Sequence, residues 1–156
     1  MEEYMQVLTF SLNGIDFGIP LEDVKSIGVE TGVIQIPGAP PNIRGIMRLH
    51  GSIVPVYSLA AKFAYGDQVI ENIVVVSMSG MKIGLEVGKV KQILELEQHD
   101  IIPMPEIMNA TQNWFHDVAS CKKELIVLVS VDNLLTQEER QKIRKLIEDS
   151  SKNERK

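Results

Sequence analysis

The sequence predicts a mainly β protein made of two small barrels, finished by a C-terminal helix. Three observations carry that prediction. Residues 8–27 align without a gap on residues 74–93 at an offset of 66, so that Ser11 falls on Ser77, Gly14 on Gly80, Gly18 on Gly84, Val24 on Val90, Lys25 on Lys91 and Ile27 on Ile93. A repeat of this length means one structural unit used twice, and two units leave a groove between them. About ten short apolar runs, each bounded by turn residues, then fill most of the chain, the pattern of small closed sheets. Helical periodicity is confined to the end.

Val7–Leu12 alternates toward Asn13-Gly14, and Ile15–Ile19 follows. Asn-Gly between alternating apolar residues predicts a tight hairpin, because both turn positions need positive φ. The second copy repeats the device with Ile73–Met78, Ser79-Gly80 and Met81–Val87. Gly18 and Gly84 stand mid-strand, where glycine marks a bulge or a close backbone approach. An extended segment follows each hairpin, Ser26–Glu30 and Gln92–Leu96, and leads into a proline-bearing loop, Ile36–Pro41 and Ile102–Pro105. A strand pair closes each half: Ile43–Leu49 with Ile53–Leu59, and Phe115–Ala119 with Leu125–Val131. Pro55 inside its strand predicts an edge or a bulge, since proline cannot donate to a ladder. Leu125–Val131 reads as a strand buried on both faces. A short helical turn is expected after Ser58. Thr136-x-x-Glu139 is a capping box opening a helix over 136–149, with Ile143, Leu146 and Ile147 on one face and Glu138 placed to pair with Lys142. Residues 150–156 carry no apolar anchor and are expected to fray.

Composition narrows the function. The chain has 156 residues, a net charge of −5 and 5% aromatics. That argues against a binder that neutralises phosphates or stacks bases, and so against a nucleic-acid-binding barrel. One cysteine, Cys121, allows no internal disulfide and suits a reducing cytoplasm. No apolar run is long enough for a membrane span. His50, His99 and His116 have no partners at metal-ligand spacing, and no glycine-rich loop opens a helix. Cys121 beside Lys122 and Lys123 is the best case for a nucleophile, but a lone turn cysteine is more often inert. The expectation is a non-enzyme with neither metal nor cofactor.

Several motifs, taken in order, resemble the CheW family of chemotaxis adaptors from Val7 to Leu135. They are Phe17-Gly18-Ile19, Ile36-Pro37 with Ala39-Pro40-Pro41, Ile43-Arg44-Gly45-Ile46, Leu49-x-Gly51-x-Ile53-Val54-Pro55-Val56, Val87-Gly88-x-Val90 and Leu125-Ile126-Val127-Leu128. The resemblance implies a single domain over 1–135, built from two five-stranded SH3-like barrels on a shared core. The lobe boundary is expected near 65–72, with strand exchange allowed between the lobes. It implies a non-catalytic adaptor between chemoreceptors and a CheA-type histidine kinase, recruited from the cytoplasm to receptor arrays at the inner face of the membrane. The kinase's regulatory domain would dock on one barrel and the receptor's cytoplasmic tip in the groove between barrels. A CheW-like module of another pathway is the alternative. The groove candidates are Val24, Ser26, Arg48, His50 and Ile73. The chain departs from the family pattern at four places. Ser26 stands for a usual glutamate, His50 for an arginine, Ser58 for an aspartate and Asp117 for a glycine. Arg48 would replace the missing arginine if its strand reaches residue 50, because alternate strand residues share a face.

Overall fold

Tight turns set the architecture. Asn13 and Gly14, with φ of 54° and 73°, close the hairpin of β1 (Tyr4–Leu12) and β2 (Ile15–Pro20). Leu8 opposes Ile19, Phe10 opposes Phe17 and Leu12 opposes Ile15. Sixty-six residues on, β6 (Asn72–Met78) and β7 (Met81–Val87) reproduce that register: Val74 opposes Leu85, Val76 opposes Ile83 and Met78 opposes Met81. The computed structural model describes residues 4–29, 32–78, 80–103 and 115–154.

The third strand of each copy is handed to the other copy. After a 3₁₀ turn at Leu21–Asp23, β3 (Val24–Val29) pairs with β6; β8 (Lys89–Glu97) pairs with β1. The two exchanged ladders share one register and one irregularity. Ser26 opposes Val75 and Val24 opposes Val76, with Lys25 bulged between them; Gln92 opposes Thr9 and Val90 opposes Phe10, with Lys91 bulged. The Thr9 hydroxyl donates to the Gln92 carbonyl (3.0 Å) and accepts from its N–H (3.2 Å), satisfying the second bulge.

The remaining elements close each barrel. β4 (Ile43–Leu49) and β5 (Ser52–Ser58) complete the order β3-β6-β7-β5-β4. β9 (Ile101–Pro103), β10 (Phe115–Cys121) and β11 (Glu124–Val129) complete β8-β1-β2-β11-β10-β9. The first barrel thus has six strands rather than five. Its extra strand β9 corresponds to a single bridge, Ile34 to Ile46, in the second. The second barrel is a continuous insert between the two parts of the first. The chain changes barrel around Leu21–Asp23 and at Gly88, whereas residues 65–72, the expected lobe boundary, lead from β5 to β6 within one sheet.

Three cores follow from strand alternation. Val7, Leu94, Leu96, Ala119, Ile126 and Leu128 fill the first barrel, and Met47, Val54, Val56, Ile73 and Val75 fill the second. The opposite faces of the same hairpins form the shared core, through Leu8, Phe10, Phe17 and Ile19 from one barrel and Tyr57, Val74, Val76, Ile83 and Leu85 from the other. Phe10 stacks on Phe17 at 5.5 Å between centroids, Phe17 on Phe63 at 5.6 Å, and Phe63 meets Tyr65 edge-on. This ladder crosses from one barrel to the other, each pair adding about 0.5–1.5 kcal/mol beyond burial.

Gly18 and Gly84 sit opposite the parallel crossing strands, Gly18 on Leu128 and Gly84 on Val56. A Cβ at 84 would stand 2.8 Å from the Ile73 side chain, and one at 18 would stand 3.1 Å from Ile126. They are close-approach glycines, and the bulges lie elsewhere. Pro55 does not make an edge: β5 is interior, between β7 and β4. The parallel ladder to β7 begins only at Val56, so no donor is required at 55. Leu125 is 64% exposed, so β11 is buried on both faces only from Ile126 onward.

The Ser58 hydroxyl accepts from the Ala61 N–H (3.0 Å) and caps α1 (Leu59–Lys62). An aspartate would make the same cap, so this departure keeps its structural role. After α2 (Val131–Leu134), the Thr136/Glu139 capping box forms with bonds of 3.0 and 3.1 Å and opens α3 (Gln137–Glu154). Glu138 and Lys142 pair at 3.1 Å. The helix runs through residues 150–154, where fraying was expected, because no glycine or proline interrupts its backbone.

Candidate functional site

The bulge at Lys25 decides what β3 presents. In a regular strand Val24 and Ser26 would share a face. With Lys25 inserted, Val24 opposes Val76 of the shared core and Ser26 opposes Val75 of the second barrel's interior. They therefore lie on opposite sides of the sheet, both half-buried. Beyond the bulge, Ile27 opposes Val74 and Val29 opposes Asn72, on the side of the shared core. Ile27 is 46% exposed and Val29 65%. Val24, Ile27 and Val29 thus form an apolar stripe running outward from the junction of the barrels. Sequence reasoning names Val24 but misses Ile27 and Val29. Counting across the bulge needs the register, although the repeated Lys25/Lys91 position was the available signal.

Ile73 is 0% exposed and packs inside the second barrel, so it offers a partner no surface. It faces inward because Ile73 opposes Gly28 on the interior side. Arg48 is exposed on β4, but the strand ends at Leu49. His50 and Gly51, with φ of 49° and 80°, form a two-residue turn to Ser52. Strand alternation therefore does not carry from 48 to 50, and the geometric basis for Arg48 standing in for an arginine at 50 is absent. β3 and β4 are the end strands of their sheet. Closing a barrel turns such ends toward one another, and the Ile34–Ile46 bridge ties the chain leaving β3 to β4.

A cleft of about 470 Å³, lined by Met5, Gln6, Pro20, Leu21 and Glu22, opens beside the β2–β3 crossover. Burial pushes the Asp23 carboxyl there above its usual range, helped by Glu22 and Asp132 and opposed by Lys25. On the outside of the first barrel, Ile102 (50% exposed) opposes Val118, and Leu125 opposes Ser120 in the neighbouring row. Asp117 follows the bulge in β10, as Gly45 does in β4.

The other candidates do not converge. Cys121 is half-buried at the end of β10, before the Lys122-Lys123 turn. His99 is exposed, within 3.2 Å of Glu97 and 3.4 Å of Asp100. No metal-competent group of three acidic, His or Cys side chains occurs among the described residues. Met104, Pro105, Met108 and Trp114 lie outside the described residues, as does the side chain of His116. No helix among the described residues is long and apolar enough to cross a membrane.

The family model described as a CheW-like domain matches residues 6–139, both barrels and the start of α3. The chain belongs to the CheW-like family. It is 30% identical to the chemotaxis protein CheW of Klebsiella aerogenes over 138 residues, covering 86% of this chain and 83% of that one. It is 24% identical to the chemotaxis protein CheW of Treponema pallidum over 153 residues, covering 93% and 90%. The crystal structure of the scaffolding protein TtCheW from Thermoanaerobacter tengcongensis has the same fold, with a TM-score of 0.78 at 24% identity over 88% of this chain and 91% of that one. Beyond Lys25, the exposed side chains of β3 are the apolar Ile27 and Val29.

Proposed function

We propose that this CheW-like chain is a non-catalytic adaptor coupling chemoreceptors to a CheA-type histidine kinase in chemotaxis. The match across both barrels carries the reading. The receptor's cytoplasmic tip docks at the junction of the barrels, on Val24, Ile27 and Val29, with Arg48 and His50 across the seam between β3 and β4; Ser26, which faces the second barrel's interior, supports the strand from behind. Contiguous exposed apolar residues beside polar ones are what protein-docking surfaces offer. The kinase's regulatory domain docks on a barrel, and the outer row Ile102, Val118 and Leu125 supports the first barrel in that role. Both contacts hold the adaptor in receptor arrays at the inner face of the membrane, without insertion of its own.

The test is co-precipitation with a CheA-type regulatory domain and with a receptor cytoplasmic fragment, in separate reactions. Binding to both is expected. Failure with both overturns the assignment, and failure with the receptor alone overturns the docking role of β3.

A further inference from the structure

Glu139 hydrogen-bonds the C-terminal helix to the second barrel. Glu139, in the first turn of α3, accepts the Tyr57 hydroxyl (3.0 Å), the Lys62 ammonium (3.4 Å) and the Thr136 N–H (3.0 Å). The Asn42 side-chain amide reaches both Tyr57 (3.4 Å) and Glu139 (3.5 Å). Burial pushes the Glu139 carboxyl up, but the Thr136, Tyr57 and Lys62 donors outweigh it and hold the group below its usual range. Burial, reinforced by the carboxylate, drives the Tyr57 hydroxyl well above its usual range, so it stays a donor. Beyond this knot, among the described side chains, α3 buries Ile143 completely and Arg140, Leu146 and Ile147 partly.

Asn42 is what gives the knot reach. It ends the proline loop and precedes β4, its φ is 71°, and its carbonyl accepts the Ser58 N–H (2.8 Å). Asparagine adopts the left-handed region readily, and here its side-chain and carbonyl contacts fix the chain at that junction. Along the rest of the loop, Ile36–Pro40 is separated from Lys142, Lys145, Leu146 and Asp149 of α3 by a cleft of about 430 Å³. Among the described residues, the hydrogen bonds from helix to loop run through Asn42.

We propose that α3 is a latch on the β3–β4 connection: Glu139, through Tyr57 and Asn42, sets the loop joining the two strands that carry Val24, Ile27, Arg48 and His50. Docking or release of the helix then regulates the receptor surface. This rests on the receptor role of that surface, but the latch itself does not.

The test uses the full chain and two single variants. Tyr57→Phe removes the hydroxyl while keeping the ring in the core and the capping box intact. Glu139→Gln removes the charge. Amide hydrogen exchange is followed in α3, in residues 32–46 and in the β6–β7 hairpin, and each variant is titrated with the receptor fragment. Both variants should speed exchange in α3 and in residues 32–46 together by about tenfold, the scale of one charge-assisted hydrogen bond. Exchange in β6–β7 should not change. The double variant should fall short of the sum of the singles, as expected for one shared network. Faster exchange in α3 with residues 32–46 unmoved overturns the latch, as does no change anywhere or an equal change across the whole chain. Receptor affinity should drop with the loop. A wild-type chain that does not bind the fragment defeats the receptor reading alone and leaves the exchange result to judge the latch.

Discussion

The stripe on β3 and its counterpart on β8 form an internal controlled experiment. Ile27 and Ile93 occupy the same register position of the exchanged strands, opposite Val74 and Leu8. They are similarly exposed, at 46% and 53%. Their neighbours differ. Val29 continues the apolar face on β3, whereas Glu95 stands at that position on β8, opposite Gln6. Fully burying such a side chain is worth about 1.5–3 kcal/mol. Scaled by the exposed 46% of Ile27 and 65% of Val29, docking would gain about 0.7–1.4 and 1–2 kcal/mol. Alanine keeps the Cβ, so Ile27→Ala with Val29→Ala should lose about 2 kcal/mol, roughly thirtyfold in Kd for the receptor fragment. Ile93→Ala should leave that Kd within about twofold, and none of these surface truncations should move stability by more than about 0.5 kcal/mol. Isothermal titration of the receptor fragment reads the effect, and urea unfolding reads the control. Unchanged affinity in the β3 double variant refutes the docking assignment. An equal loss in Ile93→Ala refutes the argument that the neighbouring charge tells the two strands apart.

Three further outcomes follow from the geometry. Lys91 pairs with Asp16 at 3.1 Å in the first barrel, while the matching positions of the second are Lys25 and Lys82. Lys82→Asp should therefore install the missing bridge and raise urea-unfolding stability by about 0.2–1 kcal/mol, less at high salt; a loss of stability contradicts the equivalence of the barrels. A Cβ at Gly45 would stand 2.0 Å from the Ile34 carbonyl oxygen, against backbone that cannot yield. Gly45→Ala should cost upward of about 2 kcal/mol and open the Ile34–Ile46 bridge, visible as lost amide protection at 34 and 46. The Glu139 carboxyl lies below its ordinary value of 4.5, so its stabilisation is present above that pH and lost as pH falls through the depressed folded value. The acid limb of the wild-type stability curve below about 4.5 should flatten in Glu139→Gln, and parallel limbs would remove Glu139 from the acid transition.

Much of the fold is legible because its determinants are local. Asn13-Gly14 specifies its turn, Thr136 and Glu139 specify the helix start, and the offset of 66 matches the hairpin registers. What sequence reasoning cannot see depends on strand partners far away. Pro55 looks like an edge marker until the β7 ladder is known to begin one residue later. Ile73 looks as available as any strand isoleucine until Gly28 and the second barrel's interior enclose it. Leu125 belongs to an apolar run, yet its side of β11 faces outward where Val127 still abuts the shared core. The candidate site suffers most. Val24, Ser26 and His50 come from the family resemblance, and strand alternation ties Arg48 to residue 50; the side each faces depends on the bulge at Lys25 and the left-handed turn at His50.

Beyond a shared bulge the two exchanged strands present different surfaces. Both third strands cross between barrels and need the same extra residue to do so, Lys25 or Lys91. Past that residue they diverge. β8 sends Leu94 and Leu96 into the first barrel's core and blunts its surface with Lys89, Lys91, Glu95 and Glu97, the usual protection of a sheet edge. β3 has Gly28 where β8 has Leu94, and Ile27, Gly28 and Val29 are all exposed. Its outer half contributes little to any core and carries no charge to shield it. A strand held by its neighbour's backbone but not by its own side chains costs little to cover with a partner, because few internal contacts compete. β8 commits Leu94 and Leu96 to a core and keeps charges on its surface, whereas β3 leaves an apolar outer half, the surface proposed for docking.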